Sequence, residues 1–210
     1  MQMYINTRLD AINYVMSCIG LAPVDSEDEY NLDVSQAGGV IDKASRSIQT
    51  NKGIGWWFNR EQNWKLAPDP VTGQVLLPNT AISTYRYDEY NRQVKIATRG
   101  RALFDTKQHR FDMRPLATDG YIRLMIITQL EFDDLPQTAK DAVASAAAVM
   151  FARGNEMDVN RIKVLGDEAS IAMFALECEE TTQTKNNAFK DNVSMASFEA
   201  QAGGFNNIIP

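Results

Sequence analysis

Apolar residues recur at helical spacing at both ends of the chain and at strand-like spacing between them. In the N-terminal third, Leu9, Ile12, Val15 or Met16, and Ile19 mark one helix face, with Asn6 or Thr7 as its N-cap. Gly20 suits the left-handed turn that ends this helix, and Pro23 follows. After an acidic run (Asp25, Glu27, Asp28, Glu29), a second helical stretch places Val34, Ala37, Ile41, Ala44 and Ile48 on one face. Lys43 and Arg46 point elsewhere. Gly38 and Gly39 inside it each cost about 1 kcal/mol relative to alanine, which implies a close approach or a kink. Asn51-Lys52-Gly53-Ile54-Gly55 ends the helix.

From Trp56 to about Leu130 the pattern changes to β-branched and aromatic residues with frequent turn formers. The predicted strands are Asn63–Leu66, Gln74–Leu77, Ser83–Arg86, Gln93–Ala97, Ala102–Asp105 and Ile122–Leu130. Pro68-Asp69-Pro70, Thr72-Gly73, Pro78-Asn79 and Arg99-Gly100 supply turns. Strands this short and this close in sequence favour an antiparallel meander, with the most apolar one, Ile122–Leu130, at its centre.

Helices resume after Asp133-Asp134-Leu135-Pro136, where either aspartate suits a cap and Pro136 the first turn. Ala139, Val143, Ala146 or Ala147, and Met150 form a stripe of mostly small side chains that admits close neighbours. A long helix from about Val159 to Thr184 carries two apolar stripes. One is Ile162, Leu165, Ala169, Ala172 and Leu176; the other is Val164, Ile171, Phe174, Ala175 and Cys178. Such a helix must bury surface in two directions. From Lys185 onward, asparagines and Gly203-Gly204 dilute isolated apolar residues: Phe189, Met195, Phe198, Phe205, Ile208 and Ile209. That spacing reads as anchors in an extended tail that folds onto a partner.

The 210 residues suffice for one full core, or for one core and a smaller second unit. No apolar run approaches the roughly 20 residues of a membrane-spanning helix. The N-terminal Met1-Gln2-Met3-Tyr4-Ile5-Asn6 has neither the basic start nor the apolar stretch of a secretory signal. Cys18 and Cys178 each fall within an apolar helical pattern and are expected to be two buried thiols in a protein made in a cytosol. A net charge of −6 argues against tight grip on nucleic acid phosphates.

Catalytic chemistry finds little to use. The single histidine, His109, lies in a polar loop-like stretch, and neither cysteine has a catalytic context. No histidine pair, Cys-x-x-Cys or calcium-loop spacing occurs, so no metal or cofactor is expected. Gly53-Ile54-Gly55 leads into Trp56-Trp57-Phe58 and a strand, not into the helix of a dinucleotide site. Paired carboxylates are the exception. Asp25, Glu27, Asp28 and Glu29 with Glu131, Asp133 and Asp134 have the chemistry for glycoside hydrolysis, with Trp56, Trp57 and Trp64 as sugar platforms. Solvated acids and a helix N-terminus explain the same residues without catalysis, and the Trp56-Trp57-Phe58 run suits packing of helices on the sheet.

The ordered landmarks resemble the tail tubular protein A family of short-tailed, podovirus-type bacteriophages. Leu9-Asp10-Ala11-Ile12-Asn13 through Ile19-Gly20-Leu21-Ala22-Pro23-Val24 resembles its opening helix and Ile-Gly-x-x-Pro-Val turn. Ile48-Gln49, then Gly55-Trp56-Trp57-Phe58-Asn59-Arg60-Glu61, match its next landmark, and Leu66, Pro68 and Leu77-Pro78 fit the strands beyond. Arg99-Gly100-Arg101-Ala102-Leu103-Phe104-Asp105 is similar to the family's Arg-Gly-Gly…Tyr-Asp strand, departing at Arg101 and Phe104. Phe132-Asp133-Asp134-Leu135-Pro136 and Phe151-Ala152-Arg153-Gly154 match the two ends of its third helix. The tail after Lys185 matches nothing in that pattern.

The resemblance implies a virion protein, a head-to-tail adaptor without enzymatic activity. It implies a dodecameric ring beneath the portal, joined to the tubular nozzle protein below, with DNA passing through without tight binding and no membrane involved. The expected fold class is α+β. Residues 1–55 and 133–184 form a discontinuous helical bundle, 56–132 an antiparallel β-rich insertion, and 185–210 an extended tail. Within that reading Ile162, Leu165, Ala169, Ala172 and Leu176 are the expected subunit interface, and the spaced apolar residues of the tail dock on the portal. Two other readings compete: a tail-associated glycan hydrolase, and a small cytosolic interaction domain unrelated to phages.

Overall fold

The computed structural model describes residues 4–27, 31–86, 96–117 and 119–184. It is α+β, with two helices, five strands and two further helices in chain order. Helix α1 (Arg8–Ser17) begins at Thr7, whose hydroxyl accepts the Asp10 N–H while the Asp10 carboxylate accepts the Thr7 N–H at 2.9 Å. This reciprocal capping satisfies amide groups that the first turn leaves open. It also holds the Asp10 carboxyl below its ordinary range, chiefly through the Thr7 backbone hydrogen bond. A depressed carboxylate stabilises above its unfolded pKa, and that contribution fades as pH falls through the folded value. Asp10→Ala is expected to cost about 1 kcal/mol at neutral pH, read by urea denaturation, and less in acid.

Helix α2 (Leu32–Thr50) buries Val34, Ala37, Ile41 and Ala44 on the face the periodicity marks. Gly38 is where the close approach occurs: a Cβ there would sit 3.2 Å from the Arg8 guanidinium. Arg8 crosses α2 at this point and pairs with Glu27 and with Asp42. The helix ends in a run of left-handed residues, Asn51, Lys52, Gly53 and, after Ile54, Gly55. Gly55 is required there twice over. Its φ is +69°, and a Cβ would lie 2.6 Å from the Ile127 side chain.

Strands β1 (Arg60–Leu66), β2 (Ala81–Arg86) and β5 (Ile122–Thr128) form one antiparallel sheet in the order β1-β5-β2. The most apolar strand is central, as expected, with both its edges paired and Ile122, Leu124, Ile126 and Ile127 buried. The sheet is not a meander. β5 returns between β1 and β2, and β3 (Ile96–Arg99) with β4 (Ala102–Asp105) forms a separate hairpin. Residues 74–77, predicted as a strand, make only a bridge from Leu76 to Ala102, flanked by hydrogen bonds from Leu77 to Arg101 and from Leu103 to Val75. Of the predicted strand Gln93–Ala97, residues 93–95 lie outside the described residues.

Helix α3 (Gln137–Gly154) starts later than the aspartates suggested. Residues Phe132–Asp134 make a 3-10 turn, Pro136 occupies the N-cap, and no side chain caps the helix. Asp133 instead accepts the Arg8 N–H at 2.8 Å, so it caps α1 across the fold. The two residues are 125 positions apart in sequence, so this cap is invisible to local pattern. α3 is buried around its circumference, with Ala139, Ala142, Ala144, Ala147, Ala148 and Ala152 all covered. α1, α2 and α4 (Val159–Thr184) pack around it.

Two hydrophobic cores result. The larger joins the four helices with Trp56, Phe132 and Leu135. The smaller holds Val75, Leu77, Leu103, Met113, Ile122, Leu124 and Ile126 beneath the strands. A buried polar junction lies between them. The Asn59 Oδ1 accepts the Trp56 N–H at 2.8 Å, and its Nδ2 donates to Gln49 O at 2.9 Å and Thr128 O at 3.0 Å. Gln49 in turn accepts the Leu130 N–H and donates to Leu130 O and Ser45 Oγ.

Candidate assembly surface

Helix α4 is held to the subunit near both ends. Near its start the Arg161 guanidinium donates to Cys18 O at 3.2 Å. Near its end Glu180 accepts the Trp57 N–H at 2.7 Å and pairs with Arg60 at 3.1 Å. Thr138 on α3 donates its hydroxyl to Glu179. With those anchors in place, only one of the two apolar stripes can face α3.

The structure puts the first stripe inside. Leu165 and Leu176 are buried, and Ile162, Ala169 and Ala172 pack partly buried on the same core. Leu165 and Leu176 are therefore committed to the subunit's own core, while Ile162, Ala169 and Ala172 keep part of their surface open, Ala172 on the groove beside the helix. The alanines of α3 provide the physical reason: small residues on both helices let the axes come close, and Ala169 and Ala172 match them.

The second stripe faces out. Ile171 is 70% exposed, Phe174 66% and Val164 47%, with Ala175 and Cys178 also exposed. Exposure of Cys178 corrects the expectation of two buried thiols; Cys18 is buried and both are free. Burial pushes the Cys18 thiol up and raises the neighbouring Tyr14 hydroxyl to about 12, which keeps both neutral at ordinary pH. Alongside the stripe, Tyr14, Thr138, Asp141, Glu168, Ile171 and Ala175 line an open groove of about 500 Å³. Burial also raises the Asp141 carboxyl above its ordinary range, against the opposing hydrogen bond from Gln137. The groove is therefore apolar along α4 and acidic at its wall.

The sequence-predicted chemistry is dispersed or otherwise employed. Glu27 pairs with Arg8, Asp133 caps α1, and Asp28 and Glu29 lie outside the described residues. A second groove of about 480 Å³ contains Arg8, Asp42, Arg46 and Glu131 but none of the three tryptophans. Trp56 is buried in the helical core, donating its indole N–H to Ile48 O, Trp57 packs on that core, and Trp64 packs on the smaller one. The Trp-Trp-Phe run thus serves packing. His109 is exposed in a tight turn at φ +53°, its ring 6.5 Å from that of Phe104. Among the described residues no three histidine, cysteine or acidic side chains converge as a metal site, and no helix is long and apolar enough to cross a membrane. The tail residues Phe189, Met195, Phe198, Phe205, Ile208 and Ile209 lie outside the described residues.

A subunit pinned this firmly, yet leaving a long apolar helix face uncovered, has the construction of an assembly protein. A model of the tail tubular protein family matches residues 9–196, and the chain belongs to that family. It is accordingly a structural protein of the bacteriophage virion that assembles into tail complexes. Comparison with curated proteins gave no match.

Proposed function

We propose that the chain is the head-to-tail adaptor of a short-tailed phage, the tail tubular protein A type. It forms a ring, a dodecamer by resemblance, between the portal and the tubular nozzle protein, and DNA passes through its centre. The observation that carries this reading is the exposed stripe of α4, with Val164, Ile171, Phe174, Ala175 and Cys178 on one face. Its exposure supports the outward stripe, in place of the inward one, as the subunit contact. The net charge of −6 supports a channel wall that DNA slides past.

The test is a pair of substitutions, Ile171→Asp and Phe174→Asp, each at a side chain exposed in the single subunit. Both variants are expected to keep the wild-type circular dichroism spectrum and to lose the ring in sedimentation and in negative-stain images with portal protein. A variant that still forms rings removes α4 from the interface. The tail supplies the portal contact in this reading: truncation after Lys185 is expected to weaken portal binding in pull-down while leaving the urea midpoint unchanged. Equal binding by the truncated chain rules that role out.

A further inference from the structure

A ring of more than two subunits closes only through a heterologous contact, in which each subunit offers two different patches. The outward stripe of α4 is one of them, so the second lies elsewhere on the same chain. This inference rests on the ring reading above and names the missing surface.

The bundle restricts where it can be. α2 and α4 both pack on α3 without substantial contact with each other, so their outer faces look away from α3 on separate flanks. The outer face of α2 carries Leu32, which is 72% exposed, then exposed Gly39, Lys43 and Arg46. Ile54, 59% exposed, follows just beyond the helix end. A Cβ at Gly39 would meet nothing within 4 Å, so the backbone there is open to close approach. From Leu32 to Thr50 the face is about 27 Å long, and from Val164 to Cys178 the stripe is about 21 Å, so the second fits on the first.

Charge makes the match directional. Arg8 pairs with both Glu27 and Asp42, so that cluster keeps one negative charge beside Lys43 and Arg46, and the α2 face is still net basic. Neither has an ion-pair partner among the described residues. Beside the α4 stripe stand Asp167 and Glu168, both exposed, with Asp141 in the adjoining groove. Of the cations of α4, Arg161 donates to Cys18 O and Lys163 lies one turn before Asp167, so Glu168 and Asp141 carry the net negative charge beside the stripe. We propose that in the ring the outward stripe of α4 seats on the outer face of α2 of a second copy. Ile171 and Phe174 pack over Gly39 towards Leu32, and Asp167 and Glu168 face Lys43 and Arg46.

A charge-swap experiment tests it with full-length chains and portal protein. The Lys43→Glu/Arg46→Glu chain and the Asp167→Lys/Glu168→Lys chain are each expected to fold normally but to form no ring alone. An equimolar mixture is expected to recover rings in which the two variants alternate, because every α4 then meets an α2 of opposite sign. Rings from either variant alone, or a mixture that stays unassembled, overturn the pairing. The Ile171→Asp measurement does not involve α2. Ring loss there with failure of the swap sinks only the partner surface, persistence of rings there removes α4 from the interface, and a wild-type chain that forms no ring with portal protein sinks the ring reading itself.

Discussion

Leu176→Ala is expected to lower the stability of the subunit by about 3 kcal/mol, and Leu176→Asp to leave it unfolded. Leu176 is 0% exposed at the contact between α4 and the helical core. Truncation there removes the transfer free energy of the lost methyl groups and leaves a cavity that a close-packed bundle refills only in part. An aspartate adds an unpaired buried charge, which no neighbour on the alanine-lined face of α3 can satisfy. Two residues away, Phe174→Ala is expected to change subunit stability by no more than about 0.5 kcal/mol, because that ring is already in solvent. Urea denaturation of the purified chain checks both. The contrast is informative because the two positions differ by about half a helical turn and have opposite consequences: one for folding, the other for assembly. Similar urea midpoints for Leu176→Ala and Phe174→Ala would mean that α4 is not seated on α3 as described.

That contrast also marks what periodicity can and cannot reveal. Both stripes of α4 are visible in the sequence, and so is the need to bury surface in two directions. Which stripe turns inward depends on the partner helix. α3 presents alanines, so the tighter fit falls to Leu165, Ala169, Ala172 and Leu176, a long-range match that a helical wheel drawn for one element does not contain. The central position of β5 was legible because Ile122–Thr128 is the most apolar of the predicted strands, interrupted only by Arg123. Its return between β1 and β2 was not, since the order of strands depends on the docking of β5 and not on spacing. Asp133 is a similar case: a good capping residue before a helix caps a different helix, brought near by the bundle. The polar junction left the weakest trace of all. Gln49 falls beside an apolar face, and Asn59 sits in a recognisable landmark, but their partners lie up to 81 residues away.

That junction supports the second large effect. Asn59→Ala is expected to cost about 3 kcal/mol, although only a small side chain is lost. Its carboxamide is 0% exposed and serves three backbone groups: the Trp56 N–H, Gln49 O and Thr128 O. Alanine leaves all three without that partner, and each buried group stripped of a hydrogen bond costs about 1–3 kcal/mol, less where a neighbour or water substitutes. Asn59→Asp separates this account from simple loss of packing, since it keeps the volume and the acceptor for Trp56 but replaces the donor by an oxygen. Ionised, that oxygen would face two carbonyls in a buried site, so the folded-state pKa of the new carboxyl lies above its unfolded value of about 3.9. A raised carboxyl pKa contributes stability that is present below the unfolded value and is lost as pH rises through the folded one. The Asn59→Asp chain is therefore expected to approach the stability of wild type near pH 4 and to fall furthest below it at pH 7. If urea midpoints for Asn59→Asp relative to wild type do not change with pH, Asn59 does not hold the carbonyls of Gln49 and Thr128, and the junction rests on Gln49 and packing instead.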